Sequence, residues 1–432
     1  MTSPAPIPDL SEIRLAVIGL GYVGLPLAVE FGSIRPTLGF DIDPSRIAAL
    51  QGGHDATGEV EPESLRKAGQ LSFSSDPEDL KDCNTFIIAV PTPIDTHHQP
   101  DLAPLLAASR TVGKAIARGG IVIYESTVYP GATEEDCLPV VEQASGLRFN
   151  HDFYAGYSPE RINPGDKTRP LPSIVKVTSG STPEIAELVD ALYRTIITAG
   201  TFKATSMKVA EAAKVIENVQ RDVSIALINE LSMVFSHLDI DTSDVLDAAA
   251  TKWNFMRLSP GLVGGHCIGV DPYYLVHKSM ATGYIPDIVR TSREINDGMS
   301  RVAADHLIKA MIGTGKALKG ARVLILGLAF KENCPDIRNT KVVDMANVLR
   351  GFDLQVEICD TRVDPDEART ALGEDILTDL PGRSDYDAVV LAVPHREFVE
   401  LGAPRIRALT AGAGVFFDMK AVFARSESDL RL

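Results

Sequence analysis

The sequence lacks paired cysteines, a basic excess and long apolar runs. Its five cysteines are odd in number and have no CxxC spacing, which argues against a disulfide framework or a cysteine-based zinc site. Forty-two basic residues stand against 58 acidic ones, giving a formal charge of −16. This balance disfavours broad binding to nucleic acid or to an anionic membrane, because both require an extended basic surface.

The chain also has no recognisable export or membrane signal. The start MTSPAPIPDLSEI has neither a basic segment nor an apolar one, and no apolar run approaches the roughly 18 residues of a membrane span. We therefore expect a cytoplasmic protein that uses no metal, nucleic acid or membrane. At 432 residues and 45% hydrophobic composition, it should form more than one globular domain.

The first part of the chain alternates apolar runs with helical patterns. IRLAVI at 13–18 leads into GLGYVG and then into an apolar helix pattern. LGFDID, FIIAVP and GIVIYEST follow as further strand-like runs. Such alternation predicts a parallel, doubly wound sheet of the Rossmann type.

A helical region and a second strand pattern follow. Residues 201–259 contain no glycine or proline, which predicts a long helix, and Asp241 and Thr242 are suited to cap the next one. ARVLILGLAFK, QVEICD and DAVVLAVP then resemble the first domain's strands. We predict an α/β fold with two Rossmann-like domains joined by a helical domain, with boundaries of 1–203, 204–300 and 301–432.

The glycine pattern GxGxxG at Gly19, Gly21 and Gly24 lies between a predicted strand and a predicted helix. There it permits a tight turn and close approach of a dinucleotide pyrophosphate. Asp41 ends the second strand, where its carboxylate can bond ribose hydroxyls and repel a 2′-phosphate. These features predict NAD as the cofactor rather than a purely structural turn.

Cys267 lies within PGLVGGHCIGVDPYYL, whose glycines allow the backbone to approach a ligand. A cysteine is more often a small buried apolar residue, but the glycine density and nearby Asp271 favour a nucleophile. His266 is interpreted as a structural donor.

Three further segments carry candidate residues. Lys214 and Asn218 are four residues apart on the long helix and could stabilise an oxyanion, although a surface pair of Glu211 and Lys214 is the plainer alternative. Glu160, in the irregular segment YSPERINPGD, is a candidate general base or simply a loop residue. Lys331 and Arg338, in AFKENCPDIRNT, would bring positive charge to the second sheet's carboxyl edge, or form a solvated loop pair.

Taken together, GLGYVGLPLA, VPTP, ESTVYPG, SPERINPGD, EAAKVIEN, PGLVGGHCIGVDPYY and AFKENCPDIRNT resemble the signature segments of the UDP-glucose/GDP-mannose dehydrogenase family, over residues 12 to 425. The resemblance implies catalytic roles for Cys267, Lys214, Asn218, Glu160, Asp271 and Thr127. It implies cofactor contacts from Gly19, Gly21, Tyr22, Val23, Gly24, Asp41, Arg46, Thr92, Thr127 and Arg338. The implied substrate contacts are Glu160, Arg161, Asn163, Lys214, Asn218, Arg257, Gly264 and Lys331.

Within that family the chain is most similar to bacterial UDP-N-acetylhexosamine 6-dehydrogenases that supply surface polysaccharides. The resemblance implies oxidation of C6 to a carboxylate in two hydride transfers, with a thioester on Cys267, and a homodimer or larger homo-oligomer. Arg161 and Ile162 replace an apolar pair of the UDP-glucose enzymes, which favours UDP-GlcNAc or UDP-GalNAc. The C4 configuration stays open.

Other functions are compatible with parts of the sequence. The enzyme could oxidise UDP-glucose or UDP-ManNAc. A one-step β-hydroxyacid dehydrogenase would need neither Cys267 nor a second Rossmann-like domain. A non-catalytic NAD-binding sensor or scaffold would make Cys267, Lys214 and Glu160 incidental.

Overall fold

The structure is a computed structural model that describes residues 3–162, 169–315 and 317–432. The chain forms two compact units, one of Met1–Glu217 with Tyr273–Gly283 and one of Asn218–Pro272 with Tyr284–Leu432. Within the described ranges, no helix is long and apolar enough to cross a membrane. The predicted domain boundaries after residues 203 and 300 stay predictions.

The first unit contains eight strands in its described residues. They are β1 Leu15–Ile18, β2 Thr37–Phe40, β3 Leu71–Ser74, β4 Thr85–Ile88, β5 Ile121–Tyr124, β6 Tyr154–Tyr157, β7 Lys176–Thr178 and β8 Thr201–Lys203. Its helices are α1 Gly24–Gly32, α2 Pro44–Gln51, α3 Pro62–Lys67, α4 Ala103–Ala115, α5 Leu138–Ser145 and α6 Pro183–Arg194. A short π-helix, Thr133–Cys137, precedes α5.

Six strands of this unit form one fully parallel sheet in the order β3-β2-β1-β4-β5-β6, and β7 pairs with β8 separately. That six-strand order is the dinucleotide-binding arrangement, in which strand order reverses between β1 and β4. The strands β1, β4, β5 and β6 are fully buried, as helices covering both faces require.

Two helices cross the division between the units. They are α7 Met207–His237 and α9 Asp271–Ala281. The α-helices and strands that belong to the second unit are α8 Thr242–Ala250, α10 Asp287–Gly313, β9 Arg322–Leu326, α11 Lys341–Arg350, β10 Gln355–Cys359, α12 Pro365–Leu372, β11 Tyr386–Leu391, α13 Arg396–Leu401, α14 Ala403–Arg407 and β12 Thr410–Asp418. As predicted, Asp241 caps α8, accepting a hydrogen bond from the Asp244 N–H at 3.1 Å.

The second unit has a four-stranded parallel sheet in the order β10-β9-β11-β12. Residues alternate along β9: Val323 and Ile325 pack in one apolar cluster with α10 and α11 side chains, whereas Leu324 and Leu326 pack with Phe398 in another. This two-residue period is that of a strand covered on both faces. The predicted fold class, two Rossmann-like sheets with a central helical region, is confirmed.

Candidate active site

The glycine turn connects β1 to α1 in the first unit. Gly19 has a φ of +88°, which favours glycine, and a Cβ atom on Gly24 would lie 1.8 Å from the Gly19 carbonyl oxygen. At Gly21, by contrast, a Cβ atom would meet no described atom within 4 Å. The turn therefore packs tightly at both ends and leaves space at its centre, which fits a pyrophosphate at the start of α1. Tyr22 and Val23 complete the turn.

Asp41 and Arg46 lie beside this turn. Asp41 follows β2, and its Oδ2 atom accepts a hydrogen bond from the Leu20 N–H at 2.8 Å while the residue stays partly exposed. The Arg46 guanidinium holds the Leu20 carbonyl at 2.8 Å and Asp55 at 2.7 Å. In the described part of the chain, Nη1 of Arg46 is buried without a hydrogen-bond partner, so a donor is left over for a ligand. These residues fit NAD.

Thr92 and Thr127 follow the carboxyl ends of the adjacent strands β4 and β5, and both are partly exposed. The Ser126 hydroxyl donates to the Val90 carbonyl at 2.7 Å and so ties the two segments together. Because ligands of doubly wound sheets bind at the carboxyl ends of strands, both threonines occupy positions suited to ligand contact.

Glu160 lies three residues after β6 and is buried, not in an open loop. Its Oε1 atom accepts hydrogen bonds from the N–H groups of Arg161 and Ile162. Among the described residues, its Oε2 atom has no hydrogen-bond partner, although Nζ of Lys176 lies 3.9 Å away. One carboxylate oxygen is thus fixed and the other is available to accept a proton, as a general base requires.

Arg161 and Asn163 are the two candidate substrate-binding residues that follow Glu160. Arg161 pairs with Glu217 at 2.7 Å and donates to the Val175 carbonyl at 2.7 Å. Asn163 lies outside the described residues.

Lys214 and Asn218 are both buried on α7, one helical turn apart. The alternative of a surface pair between Glu211 and Lys214 is wrong, because Glu211 is fully buried. Its carboxylate accepts hydrogen bonds from the N–H groups of Gly131 and Thr133. Burial raises the pKa of Glu211 to about 7 despite these bonds.

In the second unit, the backbone of Cys267 is hydrogen-bonded to Asp271, the first residue of α9. Its carbonyl accepts a hydrogen bond from the Asp271 N–H at 2.8 Å, and its side chain is partly exposed. The carboxylate of buried Asp271 in turn accepts from Nδ2 of Asn218 at 2.5 Å. Three predicted catalytic residues of this unit are therefore brought together, whereas the other four free cysteines are buried.

His266 is the residue whose importance sequence reasoning underestimated. Its Nδ1 atom lies 3.1 Å from Sγ of Cys267, and its Nε2 atom lies 3.7 Å from Oδ2 of Asp336. A cysteine, histidine and carboxylate in series can activate a thiol. Adjacency to Cys267 was visible in the sequence, but the contact with Asp336, 70 positions away, was not.

Within the second unit, the loop after β9 packs against the glycine-rich loop that carries Cys267, residues 260–270, which we call the cysteine loop. A Cβ atom on Gly264 would lie 2.5 Å from the Asn339 carbonyl oxygen, and Asn339 donates to the Gly265 carbonyl at 3.3 Å. Lys331 lies on this same loop, partly exposed, with Nζ 5.4 Å from the Phe330 ring centre. The structure thus brings the Lys331 segment next to Gly264.

Arg338 and Arg257 are both exposed and held by acidic neighbours. The Arg338 guanidinium forms an ion pair with Asp336. Arg257 donates to Asp247 at 2.9 Å through Nε. Their predicted roles in binding cofactor and substrate stay predictions.

Comparison with known proteins agrees with this geometry. Residues 13–197 match the NAD binding domain of the UDP-glucose/GDP-mannose dehydrogenase family, residues 208–298 its central domain and residues 324–425 its UDP binding domain. The chain belongs to this family. It is an NAD-dependent UDP-sugar dehydrogenase, so the predicted family and cofactor are confirmed.

Individual relatives cover nearly the whole chain. A UDP-N-acetyl-D-glucosamine 6-dehydrogenase of Pseudomonas aeruginosa is 58% identical over 98% of this chain and 100% of its own length. A protein of the same name from Salmonella typhi is 54% identical over 98% of this chain and 99% of its own. The solved structure of a UDP-D-ManNAc dehydrogenase from Pyrococcus horikoshii has a TM-score of 0.85 at 31% identity, covering 96% of each chain.

Proposed function

We propose that this dehydrogenase oxidises C6 of a UDP-N-acetylhexosamine to a carboxylate in a four-electron reaction. The observation that carries the proposal is Cys267, a partly exposed thiol on a glycine-rich loop beside the buried pair of Asn218 and Asp271. A one-step alcohol oxidation would not require a nucleophile there. The names of the two relatives at 58% and 54% identity support UDP-GlcNAc as the sugar.

In the proposed mechanism Glu160 removes the proton of the C6 hydroxyl through Oε2. NAD, held at the glycine turn by Asp41 and Arg46, would accept the hydride in each oxidation step, with one NAD molecule for each step. The Cys267 thiolate attacks the resulting aldehyde carbon, and covalent capture keeps the aldehyde from being lost. The oxygen of the thiohemiacetal is stabilised by Lys214 and Asn218.

Release of the product requires water. Loss of the second hydride converts the thiohemiacetal to a thioester. A water positioned by Thr127 and Asp271 then attacks the thioester carbonyl and gives up a proton to the Asp271 carboxylate. The C–S bond then breaks, the acid leaves, and the Cys267 thiolate is restored. Lys331 is proposed to bind substrate phosphate, and the acid product would serve surface polysaccharide synthesis.

A substrate panel tests the proposed sugar. We expect kcat/KM with NAD to be at least about tenfold higher for UDP-GlcNAc or UDP-GalNAc than for UDP-glucose, or about 1.4 kcal/mol of discrimination. UDP-ManNAc completes the panel. Equal values for UDP-glucose and the N-acetylated sugars would contradict the assignment, and no NADH with any UDP-sugar would contradict the function itself.

A further inference from the structure

A buried cluster of ionisable side chains surrounds Glu160 in the first unit. Glu125 follows β5, Lys176 begins β7 and Tyr193 lies on α6. Glu125 and Tyr193 are fully buried, Lys176 is 1% exposed and Glu160 is 5% exposed. Burying a single charge is energetically costly, so charged side chains at this depth must be compensated by charged or polar partners.

Lys176 is the centre of this cluster. Its ammonium donates to Oε2 of Glu125 at 2.6 Å and to the Pro159 carbonyl at 3.0 Å, and it lies 3.9 Å from Oε2 of Glu160. It therefore holds the backbone just before Glu160 and lies closest to the oxygen that is available for a proton. The Tyr193 hydroxyl donates to the other oxygen of Glu125.

The charges of the cluster do not balance when both carboxyl groups are ionised. One ammonium then faces two carboxylates, while the Arg161 guanidinium next to Glu160 pairs with Glu217 instead. Burial, with a smaller contribution from the charge of Glu160, raises the pKa of Glu125 to about 7 although Lys176 lowers it. Glu125 therefore takes up a proton more readily than an ordinary carboxyl group, and when it is protonated the ammonium is the counter-charge of Glu160 alone.

We propose that Lys176 is a positioning residue that supplies the counter-charge of the base Glu160 and fixes the backbone before it, and that Glu125 anchors Lys176. This inference rests on the proposed function, in which Glu160 accepts the hydroxyl proton. Lys176 touches neither the substrate nor the cofactor in this account. It acts only through Glu160.

The test is the pH profile of kcat/KM for the full-length enzyme with NAD and UDP-GlcNAc. Lys176→Met should move the acid limb of the profile to higher pH by about one unit or more, since an opposite charge at this distance favours ionisation by that much. Lys176→Arg, which keeps the charge, should restore most of the shift. Glu125→Gln should not move the limb upward, because its amide mimics the protonated carboxyl.

Asp190→Asn is the matched control. Asp190 lies on α6, like Tyr193, and accepts a hydrogen bond at 2.8 Å from Thr178 on β7, the strand that begins with Lys176. This change should lower the melting temperature without moving the acid limb. If Lys176→Met does not fold, Lys176→Gln removes the charge while keeping a donor and should give the same shift.

Two outcomes separate this inference from the proposed function. The first outcome is that the Lys176 variants fold and bind NAD but keep the acid limb of the kcat/KM profile at its wild-type pH, while Glu160→Gln is inactive. This would overturn only the role of Lys176. A Glu160→Gln enzyme with near-normal kcat/KM would instead remove Glu160 as the base, and the role of Lys176 with it.

Discussion

Asp41 and Asp360 occupy matching positions in the two parallel sheets but have different surroundings. Each follows the strand next to its first strand and accepts a hydrogen bond from the N–H of a leucine after a glycine, Leu20 or Leu328. Asp360, however, is fully buried against His395, 3.0 Å from its Nε2 atom. Burial raises the pKa of Asp360, but the hydrogen bond with His395 and the other contacts lower it to about 2 overall.

This difference explains why dinucleotide binding is expected at Asp41 and not at Asp360. Because the Asp360 carboxylate is buried and already bonded to His395, it cannot accept hydrogen bonds from a ribose. We predict that Asp41→Ala raises KM for NAD about tenfold or more and narrows the preference for NAD over NADP. Steady-state kinetics with both cofactors measure this. Unaltered values for both would contradict the assignment of Asp41.

A second prediction at the scale of single residues concerns the pH dependence of stability. The pKa of Glu125 is raised to about 7 in the folded protein, mainly by burial. Its stabilising contribution is therefore complete below its ordinary pKa near 4.5 and is lost as pH rises through 7. We predict that the melting temperature of wild type, relative to Glu125→Gln, falls between pH 5 and pH 8. A difference that stays constant or rises over this range would contradict the shifted pKa.

At the scale of elements, much of the fold was predictable because apolar runs and glycine turns are local signals. IRLAVI and ARVLILGLAFK predicted β1 and β9, although the strands begin later or end earlier than the apolar runs. The runs FIIAVP and DAVVLAVP contain β4 and β11, and each of these strands pairs with the first strand of its sheet, as the resemblance between the two sets of runs predicts. The long helix was predicted from the absence of glycine and proline.

The parts that could not be predicted depend on distant contacts. The alternative of a surface pair between Glu211 and Lys214 stayed open in the sequence, because helical spacing cannot show that Gly131 and Thr133 contribute their N–H groups to Glu211 from 80 and 78 positions away. The same limit applies to Lys176 and Glu125. Glu125 begins the segment ESTVYPG, but no sequence signal places it against Lys176, 51 positions away.

One prediction at this scale concerns the support of the cysteine loop by α7. The buried Asn229 amide accepts from the Gly261 N–H at 2.8 Å and donates to the Gly261 carbonyl at 3.1 Å. It also donates to Asn296 at 2.8 Å. Asn229→Ala should destabilise the protein by about 2 kcal/mol, because buried polar groups lose their partners, and should lower kcat by loosening the loop.

Ser232→Ala is the control for Asn229. Ser232 is also buried on α7, and its hydroxyl bonds to the Asn229 carbonyl within the same helix. Chemical denaturation and kinetics of both variants give the comparison. Equal losses of stability and activity in the two would show that the Asn229 amide has no special role.

At the scale of the whole molecule, exposed apolar residues predict self-association. In the second unit Leu227 of α7 is 55% exposed, Trp253 is 92% exposed and Met256 is 59% exposed. Exposed apolar side chains of this size gain free energy when another protein surface covers them. We predict a homodimer or larger homo-oligomer that includes α7.

Light scattering coupled to size-exclusion chromatography tests this association. Wild type should have at least twice the 46.5 kDa mass of the chain, and Leu227→Glu should lower the assembled fraction. Phe352→Glu places the same charge on another exposed apolar residue, 47% exposed, and should leave the mass unchanged. A monomeric wild type would contradict the prediction.

The central claim is that one enzyme removes four electrons from one carbon through Cys267. The most direct measurement is the number of NADH molecules formed per uronic acid, in wild type and in Cys267→Ala, with mass spectrometry of the enzyme during a single turnover. We predict about two NADH per acid, a sugar adduct on Cys267, and a fall of several orders of magnitude in acid formation for a folded, NAD-binding Cys267→Ala enzyme. One NADH per product, or near-normal acid formation without the thiol, would contradict the account.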